Sequence, residues 1–172
     1  SVRPYMPFGL RSYVRGEALP FDGSIVLYTS AGINYYKRDD IKECVSDIDK
    51  YKILTSKLLA EHAGEPDKSG KYKVLSRTEV IDKGTAVTES YLILAASESY
   101  SEINNYYSYC CTKFFRFLLL QAMSSINMTS EVFKFVPMQD FSKKWTDKEL
   151  FDKYGLDEQE RSYIDTLIKP ME

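Results

Sequence analysis

Alternating apolar and polar positions in SIVLYT (Ser24–Thr29) predict a strand, and INYYK, after the turn SAG, predicts a second. DDIKECVSDIDKY (Asp39–Tyr51) spaces Ile41, Val45 and Ile48 helically, which predicts a helix capped near Asp39. YKILTSKL reads as a strand running into a loop with Gly64, Pro66, Asp67, Ser69 and Gly70, residues that favour turns. Further strands are predicted at KYKVLS, around TEVI, at SYLILA (Ser90–Ala95) and at VFKFVPM. Between the last two, Ser99 to about Ser124 forms the longest periodic segment. Its stripe of Ile103, Tyr107, Cys110, Phe114, Phe117, Leu118 and Gln121 should face the sheet. Asn105, Tyr109, Thr112 and Arg116 fall on the opposite, outward side. Two short helices close the chain: TDKE (Thr146 with Glu149) makes a capping box, Gly155 ends that helix, and Asp157 with Glu160 (DEQE) starts the second.

This order predicts an α+β fold, a mixed or antiparallel sheet packed on one long helix, with a C-terminal pair of short helices. Residues 1–23, broken by Pro4, Pro7, Gly9, Gly16 and Pro20, read as an irregular arm laid over the domain. Residues 24–142 form the α+β body, and 143–172 a helical tail packed on it, all one structural domain. Phe114, Phe117, Leu118, Phe133, Phe135 and Trp145 are expected in the core. The chain opens SVRPY without a methionine, as expected of a fragment of something longer.

Composition changes the picture in two places. Fourteen tyrosines, against nine Phe and one Trp, suit surfaces that combine flat apolar contact with a polar tip. The formal net charge of −2 argues against a domain that holds nucleic acid by bulk charge alone. Cations would have to gather on one face, or another domain would have to supply the grip. Cys44, Cys110 and Cys111 have no metal-ligand spacing and fit a reduced, cytoplasmic protein. FFRFLLL is too short to span a membrane, so no membrane partner is expected.

Reaction chemistry is scarce. His62, the only histidine, lies between Glu61 and Glu65, but no GxSxG, HExxH or second histidine accompanies it. Pro66-Asp67 begins a nuclease-like pattern, yet neither Glu79 nor Asp82 is followed by a lysine two residues on. The eight glycines are scattered singly, so no phosphate loop is present. Binding chemistry is denser. Lys52, Lys57, Lys68, Lys71, Lys73 and Arg77 interleave with Tyr51, His62 and Tyr72, and Lys113 and Arg116 add cations on the outward side of the long helix.

PFGL, AGINYYKRDDI, SKLLAEHAGEPDKSGKYKVLS, TESYLIL, TKFFRFLLL, FVPMQDFSKKWTDKELFDKYGL and IKPME follow one another in this order. Together they resemble the C-terminal, target-recognition region of bacterial type II and fused type IIG restriction-modification proteins with an adenine-specific DNA methyltransferase domain. The block beginning FVPMQDF is the most specific part and the N-terminal arm the weakest. The resemblance implies a recognition domain that reads double-stranded DNA. An upstream domain of the same polypeptide would bind S-adenosylmethionine and transfer the methyl group, and this fragment would hold no cofactor and no catalytic residues. On that implication Lys57, Lys71, Lys73, Arg77, Lys113 and Arg116 are the phosphate or guanine candidates. His62, Asp67, Ser124, Ser125 and Asn127 are the loop residues that could meet base edges. The alternative is a protein-interaction or specificity-subunit module that makes no base contacts.

Overall fold

Strand β1 (Ser24–Thr29) and strand β2 (Gly32–Lys37) pair antiparallel, Ile25 opposite Tyr36 and Leu27 opposite Asn34, as their alternation predicts. In the computed structural model, which describes residues 2–58, 64–123 and 128–171, a second sheet is built from β3 (Tyr51–Ser56), β4 (Thr78–Ile81) and β6 (Tyr91–Ser97). Strand β5 (Thr85–Val87), which has too short a pattern to predict, joins the first sheet parallel to β1. The strand orders are β2-β1-β5 and β4-β3-β6, the latter wholly antiparallel.

The β3–β6 register explains why both strands read as continuous apolar runs. Ile53, Leu92 and Leu94 pack toward the helices, whereas Leu54, Tyr91 and Ile93 pack with Leu27, Ala86 and Val87 of the first sheet. A sheet covered on both faces loses its alternation. A β-bulge between Ile53 and Leu54 adjusts the register.

The predicted long helix is two: α1 (Tyr100–Cys111) and α2 (Lys113–Ala122), broken at Thr112. Thr112 is extended (φ −63°, ψ 152°) and caps α2 through its hydroxyl, which accepts from Phe115 N–H at 3.2 Å. Asp147, at the start of α3 (Asp147–Lys153), caps the same end, accepting from the amides of Lys113 (3.1 Å) and Phe114 (2.9 Å). Helix α4 (Glu158–Leu167) follows, and both closing helices carry their capping boxes, with Gly155 at φ +66° between them.

The break overturns the two-sided reading of this segment. Ile103, Cys110 and Phe114 are buried as expected, but Gln121 is exposed and Tyr107, Phe117 and Leu118 are half-buried. Asn105, Tyr109, Thr112 and Arg116, assigned outward, are all buried. Residues 128–141 and the tail cover that side: Asn105 donates to Phe141 O (2.9 Å) and Tyr109 to Pro137 O (2.7 Å). VFKFVPM is not a strand. Ser130–Phe135 winds as a 3-10 helix that buries the adjacent Val132 and Phe133 and leaves Phe135 70 % exposed, outside the core.

Two other predicted elements differ. Asp39–Tyr51 holds two 3-10 turns, Arg38–Asp40 and Val45–Asp47, separated by Cys44 at φ 45°. The carbonyls at the end of this segment are held by other donors. Lys52 Nζ takes those of Asp47 (2.8 Å), Ile48 (3.1 Å) and Lys50 (2.7 Å), and Gly84 N–H also takes Ile48 O (2.8 Å). KYKVLS is bent by Val74 at φ 69°, with Leu75 N–H reaching back to Lys73 O (2.9 Å). That three-residue turn is rare and strained for a β-branched side chain.

The arm lies over the domain, as predicted. Phe8 and Leu10 enter the core between the sheets, and Glu17 exchanges backbone hydrogen bonds with Tyr35 (2.7 and 2.9 Å). Gly16 (φ +70°) permits this approach, since a Cβ there would stand 2.3 Å from Tyr35 O. Gly16→Ala is expected to cost about 1–3 kcal/mol from the left-handed backbone and the clash, read as a lower urea midpoint. An unchanged midpoint would show that the arm is not held there.

Candidate nucleic-acid interface

The loop after β3 begins with a turn that closes on itself. Asp67 Oδ1 accepts from Ser69 Oγ (2.6 Å), Ser69 N–H (2.8 Å) and Lys71 N–H (3.1 Å), while Gly70 N–H donates to Asp67 O (2.9 Å). These bonds, the Ser69 hydroxyl first, hold the Asp67 carboxyl down at about 2, so it is ionised at neutral pH. Its other oxygen lies 3.5 Å from Lys169 Nζ. Asp67 therefore shapes the loop with one oxygen and orients a lysine with the other.

Lys169 comes from the far end of the chain. Tyr72 N–H donates to Leu167 O (2.8 Å) and Lys169 N–H to Tyr72 O (2.9 Å), a parallel bridge that lays the C-terminal segment beside the loop. Lys71, half-buried, and Lys73, exposed, flank that bridge on the loop strand. Arg77 borders the same region, but its guanidinium lies 5.7 Å from the Tyr28 and Tyr91 ring centroids, with Nη2 and Nε paired with Glu79 (2.9 and 3.1 Å) and Nη1 on Tyr91 Oη (3.1 Å). Lys71, Lys73 and Arg77 are close in sequence and are grouped from it. Lys169 is not among them, because no local pattern announces a bridge across almost a hundred residues.

Other candidates stand elsewhere. Lys57 is buried, donates to Tyr5 O and sits 3.2 Å from the Tyr5 ring centroid, so it fastens the arm rather than joining an exposed cationic strip. Burial, against a small opposing pull from Glu89, lowers its ammonium to about 8. Lys52 is fully buried at the opposite end of β3 and belongs to no strip either. Lys113 pairs with Asp165 at 2.9 Å. His62, Ser124, Ser125 and Asn127 lie outside the described residues.

Arg116 requires the largest correction. It is fully buried, not outward. Its Nη1 donates to Lys73 O (3.2 Å) and Lys169 O (2.7 Å), its Nη2 to Cys111 O (3.1 Å) and its Nε to Thr112 O (3.3 Å). The guanidinium thus satisfies the carbonyls exposed by the α1–α2 break and ties Lys73 to Lys169. Burial lowers its pKa, yet a guanidinium keeps its proton inside proteins.

Among the described residues no group of three or more His, Cys, Asp or Glu could hold a metal ion, and no helix is long and apolar enough to cross a membrane. Compared with known proteins, the chain matches no described family, no curated protein and no solved structure. Lys71, Lys73, Arg77 and Lys169 gather on one side of an acidic chain, suited to holding an anion by charge.

Proposed function

We propose that this chain is the sequence-recognition domain of a restriction-modification N6-adenine DNA methyltransferase. It would position a separate S-adenosylmethionine-dependent catalytic domain of the same polypeptide on its target duplex. The observation that carries the reading is the gathering of Lys71, Lys73, Arg77 and Lys169 around a rigid, self-bonded turn. An overall negative charge repels polyanions unless cations are segregated, and here several are. The order of sequence blocks set out above supplies the rest. Extruding an adenine costs a few kcal/mol of stacking, which a grip on the flanking duplex offsets.

A panel of duplexes differing in sequence tests this. One sequence is expected to bind on the order of 10³-fold more tightly than the others at fixed salt. Lys71→Ala is expected to weaken binding evenly across the panel and to lower the salt slope by about one unit. Equal affinity for every duplex would favour the second reading, a protein-interaction or specificity-subunit module. One observation speaks for that reading. An apolar groove of about 410 Å³, lined by Tyr106, Tyr109, Phe115 and Phe133, opens beside Met138, which is 60 % exposed.

A further inference from the structure

Segments far apart in sequence meet at one groove of about 590 Å³: Lys73, Ser76 to Thr78, Tyr107 of α1, and Lys169 to Met171. Its three cations are not equivalent. Arg77 already makes a bidentate pair with Glu79, which occupies the planar fork needed to read a guanine edge. Lys73 is exposed, and Lys169 has its only acidic neighbour among the described residues, Asp67, at the long distance of 3.5 Å. Two flexible ammonium groups suit an anion taken as a point charge rather than as a patterned edge.

A third charge lies beneath them. The buried Arg116 guanidinium donates only to carbonyls, two of which belong to Lys73 and Lys169 themselves. No carboxylate is among those bonded partners, and a charge held in a poorly polarisable interior is felt further than a solvated one. The strained turn at Val74 (φ 69°) begins at the same Lys73 carbonyl. A backbone held out of its ordinary range beside a cationic groove is the kind of strain found at binding sites. On the groove wall the Tyr107 hydroxyl donates to Thr78 O (3.4 Å), and burial raises its pKa to about 12, so it keeps its proton and adds no negative charge to the groove.

We propose that this groove receives one backbone phosphodiester of the bound duplex, with Lys73 and Lys169 neutralising it. The inference rests on the DNA-recognition reading and names where that duplex is gripped. It needs no knowledge of the target sequence, because phosphate contacts are shared by all sequences.

The test uses the full chain and a mixed-sequence duplex of about 20 base pairs, with affinity measured from about 50 to about 200 mM NaCl. Lys73→Ala and Lys169→Ala are each expected to flatten the slope of log affinity against log salt by about 0.9, and the double variant by about twice that. Both side chains are solvent-facing, and matched thermal unfolding confirms that the variants fold. Replacing chloride by inorganic phosphate at equal ionic strength identifies the source of the anion. A phosphodiester site predicts no extra competition. Specific displacement by phosphate, lost in the double variant, keeps the anion site but overturns the duplex as its occupant. Wild-type binding with unchanged slopes in the variants overturns the groove and leaves the recognition reading standing. A wild type that binds no duplex at low salt overturns both.

Discussion

Arg116→Met is expected to lower the unfolding free energy by about 4 kcal/mol, near the top of the range for single substitutions. The side chain is fully buried and serves four carbonyls. Thr112 O also accepts from the Arg116 amide at 3.3 Å and Lys73 O from Leu75 N–H at 2.9 Å, so these two keep a partner. Cys111 O and Lys169 O lose the donor that the guanidinium supplies, at about 1–3 kcal/mol each. Loss of charge-assisted bonds to the other two adds to this, while relief from burying a charge opposes it. The stranded carbonyls win because methionine brings no donor, and the α1–α2 break cannot close without giving up the Thr112 cap. Arg116→Lys, with three donors on a shorter reach, is expected to cost roughly half as much. Urea unfolding measures both. A methionine variant as stable as wild type would mean that the break is held by packing alone.

Stability is expected to rise between about pH 8 and pH 9, opposite to the usual alkaline loss. Burial, partly countered by Asp47 and other acids, lowers Lys52 from 10.5 to about 8, and burial lowers Lys57 likewise to about 8. Both regain their ordinary values on unfolding. Between the two values the unfolded chain binds more protons than the folded one, so raising the pH favours the fold. One pK unit corresponds to about 1.4 kcal/mol, but the three carbonyls around Lys52 Nζ favour its charged form, so roughly 2 kcal/mol is expected from this lysine. Cysteines reverse the trend above about pH 9, because burial raises the Cys44, Cys110 and Cys111 thiols while unfolded thiols ionise near there. Tyrosines deepen the fall above about pH 10. Burial raises Tyr107 to about 12 and Tyr106 and Tyr109 higher still, whereas an unfolded tyrosine ionises near 10. The folded chain then holds more protons, and stability falls as pH climbs. Urea midpoints at successive pH values should therefore peak near pH 9, and Lys52→Met should remove about half of the rise. A profile that declines steadily from pH 7 would show that neither lysine is as desolvated as its surroundings imply.

Local pattern was enough wherever an element's partners lie within a few residues. β1, β2 and both capping boxes appear where alternation, turn chemistry and Ser/Thr/Asp–Glu spacing put them. The arm was legible from its prolines and glycines. Two of the failures share one cause, competition for backbone carbonyls by a buried cationic side chain. Lys52 took the carbonyls of the predicted helix at Asp39–Tyr51, and Arg116 those at the Thr112 break. In both cases a cation that reads as surface charge became an interior donor.

The same division runs through the candidate interface. Sequence alone determined the α+β class, the closing helix pair and the cationic character of the loop around Asp67, because these follow from periodicity and composition. Tertiary structure alone decided which cations face outward. Lys57 and Arg116 went inside, where carbonyls and an aromatic ring replace water, while Lys169 was carried from the other end of the chain to stand beside Lys73. A charged side chain's fate depends on whether unpaired carbonyls wait near it in space, and no linear pattern records that distance.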